Sequence, residues 1–117
     1  AVAFPRLHPP PQVMAMVHAA AERHAVAPSL LLATCFHESR LSLAPRYASL
    51  CGVRIAHRYV RSDSESADIA ARTLAHHRRR CGSWVRALSA FRWGTCGGDV
   101  AYGARVLSVA RRIGWRE

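Results

Sequence analysis

Glu38 is the side chain in this sequence best suited to chemistry. It lies in TCFHESRLSL, residues 34–43, and within twenty residues on either side the only other acid is Glu22. On a helical wheel of about 100° per residue, Leu31, Leu32, Cys35 and Phe36 form an apolar face that includes Ser39. Glu38 falls beside Leu31 at the border of that face, whereas His37 and Arg40 point elsewhere. A carboxyl group so placed is partly desolvated, which favours the protonated form nearer neutral pH. General acid catalysis of glycosidic cleavage requires such a group. The wheel alone leans to the alternative, an acid paired with one of many arginines and serving structure only.

The elements that must position this acid are all helical. QVMAMVHAAAERH (12–24) reads as a helix with Val13, Met16, Val17 and Ala20 on one face. Pro28 suits the first turn of a second helix, which runs to about Leu41, and Pro45 blocks its continuation. Residues 46–60, with Cys51-Gly52, read as a loop holding at most a helical turn. Ser62 and Glu65 fit a capping box for a helix that stops at Gly82. Ser83 caps WVRALSAF, which ends near Gly94, and Asp99 caps a last helix with Tyr102, Val106, Val109 and Ile113 on one stripe. No strand-like alternation and no internal repeat occurs. The expectation is an all-α domain of about five helices over residues 12–117, preceded by an extended, Pro-rich arm over 1–11.

At 117 residues the chain suits one domain with a real core. Half of the residues are hydrophobic, which argues against disorder, and no apolar run approaches the roughly 20 residues of a membrane span. The start, AVAFPRLHPPP, lacks methionine and reads as a mature form or an excised domain. All 17 basic residues are arginine, and the net charge of +10 favours a polyanionic setting: nucleic acid, anionic membrane or bacterial cell wall. Arg78–Arg80 and Arg111-Arg112 fall at helix C-termini, where cations suit the helix dipole, and His76-His77 reads as surface. No helix face interleaves arginine with Asn or Gln for reading base edges, so nucleic acid is not the expected partner. Cys35, Cys51, Cys81 and Cys96 contain no CxxC pair, which disfavours zinc and favours two disulfides in an oxidising compartment. Of the three possible pairings, Cys81–Cys96 is preferred because it ties a short helix to the loop that follows it.

Three segments together resemble the lysozyme-like (goose-type, SLT) domain of bacterial lytic transglycosylases and goose-type lysozymes. APSLLLATCFHESRLS resembles the family's proline, hydrophobic helix and Glu-Ser pair, ALSAFRWG (87–94) its Ala-Leu-x-Ala-Tyr-Asn-x-Gly segment, and YGARVLSVARRI its last helix. Order and spacing agree over about residues 12–113. The resemblance implies that Glu38 is the catalytic acid and that Ser39, next to it, and Tyr102, near it, bind substrate. It implies substrate contacts from Ser49, from Gly52 and Val53 in a shortened counterpart of the family's Gly-Leu-Met-Gln-Ile segment, and from Phe91 and Arg92. The family's glutamine is missing here, and Phe91 and Arg92 replace its tyrosine and asparagine.

The implied activity is cleavage of the β-1,4 bond between N-acetylmuramic acid and N-acetylglucosamine by a single glutamate, without metal or other cofactor. The other acids do not supply an obvious second carboxylate, since three of them sit at helix starts as caps. Tyr47, Tyr59, Trp93 and Tyr102 are candidates to line a glycan groove, whereas Trp84 and Trp115 read as core. The implied setting is a monomer in the periplasm or outside the cell, held on the anionic wall by its arginines. The alternative is a catalytically impaired lysozyme-like domain that binds peptidoglycan or a secretion-apparatus partner.

Overall fold

The computed structural model describes residues 9–40, 50–52 and 60–117. Among them are five helices and no strand: α1 (Pro11–Arg23), α2 (Pro28–Ser39), α3 (Asp63–Cys81), α4 (Trp84–Trp93) and α5 (Val100–Arg112). The fold is all-α. Most of the expected arm lies outside the described residues, and Pro11 belongs to α1, its fixed φ suiting the first helical position.

Local chemistry sets most helix ends. Ser62 Oγ accepts the Glu65 N–H at 3.1 Å, and Glu65 Oε1 accepts the Arg61 N–H at 2.7 Å. This is a capping box displaced by one residue on its return side. Ser83 and Asp99 cap α4 and α5 through the N–H groups of Arg86 and Tyr102. Gly82 and Gly94 close α3 and α4 in the left-handed conformation, each at φ 83°. The second helix is shorter than its pattern suggests. Arg40 turns left-handed at φ 58°, its N–H bonded to the Phe36 carbonyl at 2.8 Å, so α2 closes at Ser39 instead of Leu41. Glu38 therefore sits in the final turn, where a side chain can project beyond the helix.

Burial of α2 is more complete than one apolar face. Leu30, Leu31, Leu32, Ala33, Thr34 and Cys35 are all buried, because α1, α3 and α5 pack around this helix. Thr34 is tolerated there since its hydroxyl donates to the Leu30 carbonyl at 2.9 Å. Phe36 is only half-buried, at the edge of the core, with the Arg40 guanidinium 4.8 Å from its ring centre. In α1, Val13, Val17 and Ala20 are buried as their spacing predicts, and Met16 packs at the margin. Tyr102, Val106 and Val109 anchor α5, and Trp115 is buried beyond its end. His77 departs from expectation: it is half-buried, and burial, with His76 and Arg80 nearby, lowers its pKa. The imidazole is thus kept neutral at the end of α3.

At Gly103 the backbones of α4 and α5 come close together. A Cβ on Gly103 would strike the Val85 carbonyl oxygen and lie 3.1 and 3.2 Å from the Val85 C and Cα. Backbone on both sides leaves nothing flexible to yield. Gly103→Ala is expected to destabilise by roughly 1–3 kcal/mol, despite alanine's better helix propensity. A lower urea midpoint would show this; an unchanged or higher one would mean that the two helices do not meet so closely.

All four cysteines are paired, as Cys81–Cys96 and Cys35–Cys51. Among the described residues no helix is long and apolar enough to cross a membrane. Both features are compatible with a secreted protein.

Candidate functional site

Three elements converge on the carboxyl group of Glu38, a side chain that is 12% exposed. From α5, the Tyr102 hydroxyl donates to Oε2 at 2.7 Å. From α4, Arg92 Nη1 stands 3.6 Å from the same oxygen. On the other side is Gly52, at φ 73°, packed so tightly that a Cβ there would collide with Oε1 and lie 2.8 Å from the Glu38 Cβ and Cγ. Sequence spacing alone could not bring together residues 38, 52, 92 and 102; α2 packed on α5 joins Glu38 to Tyr102, α4 packed on α5 adds Arg92, and the Cys35–Cys51 disulfide holds Gly52 beside α2.

The tripeptide Leu50-Cys51-Gly52 is fastened on several sides. The Ser39 hydroxyl contacts the Leu50 carbonyl as a donor, with the Cys35 carbonyl 3.3 Å away. The Leu50 N–H donates to Asp63 Oδ1 at 3.2 Å, and the Cys51 N–H donates to the buried Ser66 hydroxyl at 2.9 Å. The Cys35–Cys51 disulfide completes the attachment to α2. Ser39, expected as a sugar contact, thus has its hydroxyl engaged in holding the chain that backs Glu38. Ser49, Val53, Tyr47 and Tyr59 lie outside the described residues.

Glu38 and Gly52 open onto a cleft of about 570 Å³, lined also by Ile69 and Thr73 of α3 and by Phe91, Arg92 and Trp93 of α4. Among the described residues no second carboxylate lines it. Trp93 is 63% exposed, yet its indole N–H donates to Asp99 Oδ2 at 2.9 Å, which fixes the ring. Asp99 is itself held by its N–H to the buried Ser89 hydroxyl at 2.7 Å, and that hydroxyl donates to the Thr95 carbonyl at 3.1 Å. The Tyr102 N–H and the Trp93 indole lower the Asp99 pKa, so the cap stays charged.

Electrostatics keep the phenol a donor. Burial above all, then its hydrogen bond to Glu38 and the charge there, pushes the Tyr102 pKa far up, with weaker opposition from Arg92 and Arg105. The ring is flanked by the Arg92 guanidinium, 5.5 Å from its centre, and by the His37 ring at 6.2 Å. Burial foremost, then Arg40 and Arg105, lowers the His37 pKa against the pull of Glu38, so His37 packs there as a neutral ring. The site can therefore present one carboxyl oxygen, Oε2, oriented by a phenol and approached by a guanidinium. Among the described residues no three His, Cys, Asp or Glu side chains gather as metal ligands.

Sequence reasoning singled out Glu38, Gly52, Phe91, Arg92 and Tyr102, and the structure brings all five to the cleft or to its acid. It missed Ile69, Thr73, Ser66 and the pairing of Trp93 with Asp99. Ser66 carried one readable signal, a serine on the alanine-lined face of α3. Tyr102→Phe keeps the packing and deletes only the bond to Glu38. Since a typical side-chain hydrogen bond contributes about 0.5–1.5 kcal/mol, the variant is expected to lose about that much stability. A urea midpoint within error of wild type would mean that the phenol does not hold Glu38.

No family model matches the chain, nor does any curated protein or solved structure.

Proposed function

We propose that this chain is a peptidoglycan-cleaving lytic transglycosylase of the muramidase type, with a lysozyme-like fold and Glu38 as its single catalytic acid. The observation that carries the reading is the Glu38 side chain, 12% exposed, held at Oε2 by Tyr102 and opening on a cleft that has no second carboxylate among the described residues. A lone acid suits a reaction in which the substrate supplies its own nucleophile. Glu38 gives its proton to the glycosidic oxygen as the C1–O bond breaks, and the N-acetyl oxygen of the muramic acid closes on C1. The Glu38 carboxylate then takes the proton of the 6-hydroxyl, whose oxygen displaces the N-acetyl oxygen and forms a 1,6-anhydro ring. Water in place of the 6-hydroxyl would give hydrolysis.

Trp93 supports the same reading, since an exposed indole with its edge fixed by Asp99 offers a pre-set face for a pyranose ring. Two disulfides suit a periplasmic or secreted monomer, and the +10 charge suits an anionic wall. Purified sacculi incubated with the protein are expected to release anhydro-muropeptides; products with reducing ends would make it a hydrolase. Sacculus binding without release would remove the enzyme reading.

One observation favours that outcome. Arg92 stands within ion-pair reach of the acid, and this suits a second reading as a domain that binds glycan, or a secretion-apparatus partner, without cutting. Salt-sensitive binding to duplex DNA without sacculus affinity would sink both readings.

A further inference from the structure

Arg92 is the feature of the cleft that cleavage of a neutral glycan does not use. Its Nη1 lies 3.6 Å from Glu38 Oε2, beyond ordinary hydrogen-bond distance, so the pair is loose. A guanidinium carries five donors, and among the described residues none of them makes a hydrogen bond to a protein acceptor. Both side chains line the cleft, and Arg92, 50% exposed against 12% for Glu38, is the more accessible of the two. Its position over the Tyr102 ring, 5.5 Å from the centre, favours one orientation of the planar fork. Among the described residues Glu38 is the one acid on the cleft lining, and half of it is already committed to Tyr102.

From this we infer that Arg92 is a specificity-determining residue, which selects glycans bearing a carboxylate in the cleft by pairing its free donors with that group. The inference rests on the peptidoglycan reading and names the feature of the substrate that the site recognises. A carboxylate matches the guanidinium fork in a two-bond arrangement that a hydroxyl or an N-acetyl group cannot reproduce. An incoming carboxylate also competes for the cation beside Glu38 and draws it off Oε2. In wall glycan the group has two sources: the lactyl carboxylate of muramic acid whose peptide has been removed, or the carboxylates of an attached peptide stem.

The test compares glycan strands with free lactyl carboxylates, strands with intact stems, and each after conversion of its carboxylates to neutral methylamides. Cleavage is read as kcat/KM, and binding is read separately as quenching of tryptophan fluorescence by the disaccharide units. Wild type is expected to prefer one acidic form over its methylamide by roughly tenfold or more in both readouts. Whichever acidic form shows the preference identifies the source. Arg92→Gln should bring the ratio near one and Arg92→Lys should retain part of it. Arg79→Gln, which removes the same charge from the exposed end of α3, should leave the ratio intact.

Cleavage that proceeds with a preference unchanged in Arg92→Gln would overturn the role of Arg92 and leave the enzyme standing. Binding that prefers the carboxylate through Arg92, without any cleavage, would overturn the enzyme and leave the recognition site standing. Equal treatment of acid and methylamide by wild type would overturn the inference directly.

Discussion

Glu38→Gln is expected to lower sacculus cleavage by roughly a thousandfold while leaving the melting temperature within a few degrees of wild type. The first half follows from the chemistry. Glutamine has the shape of glutamate and cannot give up or take back the proton, and general acid–base catalysis contributes about 10²–10⁴-fold. With no second carboxylate on the cleft lining, nothing among the described residues can substitute. The second half follows from the contacts. The amide oxygen can still accept from Tyr102, and the loose pair with half-exposed Arg92 contributes at most about 1 kcal/mol. Measuring both quantities on the same preparation separates the two roles the sequence leaves open for this acid. Residual cleavage within tenfold of wild type would remove Glu38 as the catalytic acid. A large fall in melting temperature would make it the structural, arginine-paired acid instead.

The outline of the fold was legible because helix ends depend on nearby residues. Ser62, Ser83 and Asp99 hydrogen-bond within their own first turns, and Gly82 and Gly94 supply the left-handed closing residue, so each end is written locally. Arg40 was not legible, since a left-handed arginine is held by its surroundings against its own preference. The wheel for α2 predicted one apolar face and missed the burial of Leu30, Ala33 and Thr34, which arises only when α1, α3 and α5 close around it. The same limit applies to the site. The helical wheel points to Glu38 alone, and only the family resemblance sets Tyr102 near it, because their 2.7 Å bond spans 64 positions of sequence. Ser39 shows a related limit: the resemblance makes it a substrate contact, and its hydroxyl is engaged by the Leu50 carbonyl, a partner eleven positions away that the sequence does not announce. Adjacency in sequence is a poor guide to direction at a helix end.

Gly52→Ala is expected to cost about 2–5 kcal/mol of stability and roughly a hundredfold in kcat/KM, a larger joint effect than any other glycine here should show. Two terms add. Alanine at φ 73° pays about 1 kcal/mol or more for the left-handed conformation. Its Cβ would also lie 2.8 Å from the Glu38 Cβ and Cγ, atoms near the backbone that cannot swing aside as a chain end would. Neither side can retreat cheaply. Leu50 and Cys51 are tied by Ser39, Asp63, Ser66 and a disulfide, and α2 is anchored by its buried residues Leu30 to Cys35. Overpacking of this kind costs about 1–3 kcal/mol, and displacement of a catalytic group by about 1 Å can cost a hundredfold in rate. Gly82→Ala provides the control, since Gly82 has φ 83° and open space where its Cβ would go. It should show only the conformational term, about 1 kcal/mol, with activity unchanged. If the two variants lose equal stability and Gly52→Ala still cleaves like wild type, Gly52 does not set the position of Glu38. If Gly52→Ala alone loses activity, the tripeptide that α2, α3 and the disulfide hold in place is what aims the acid.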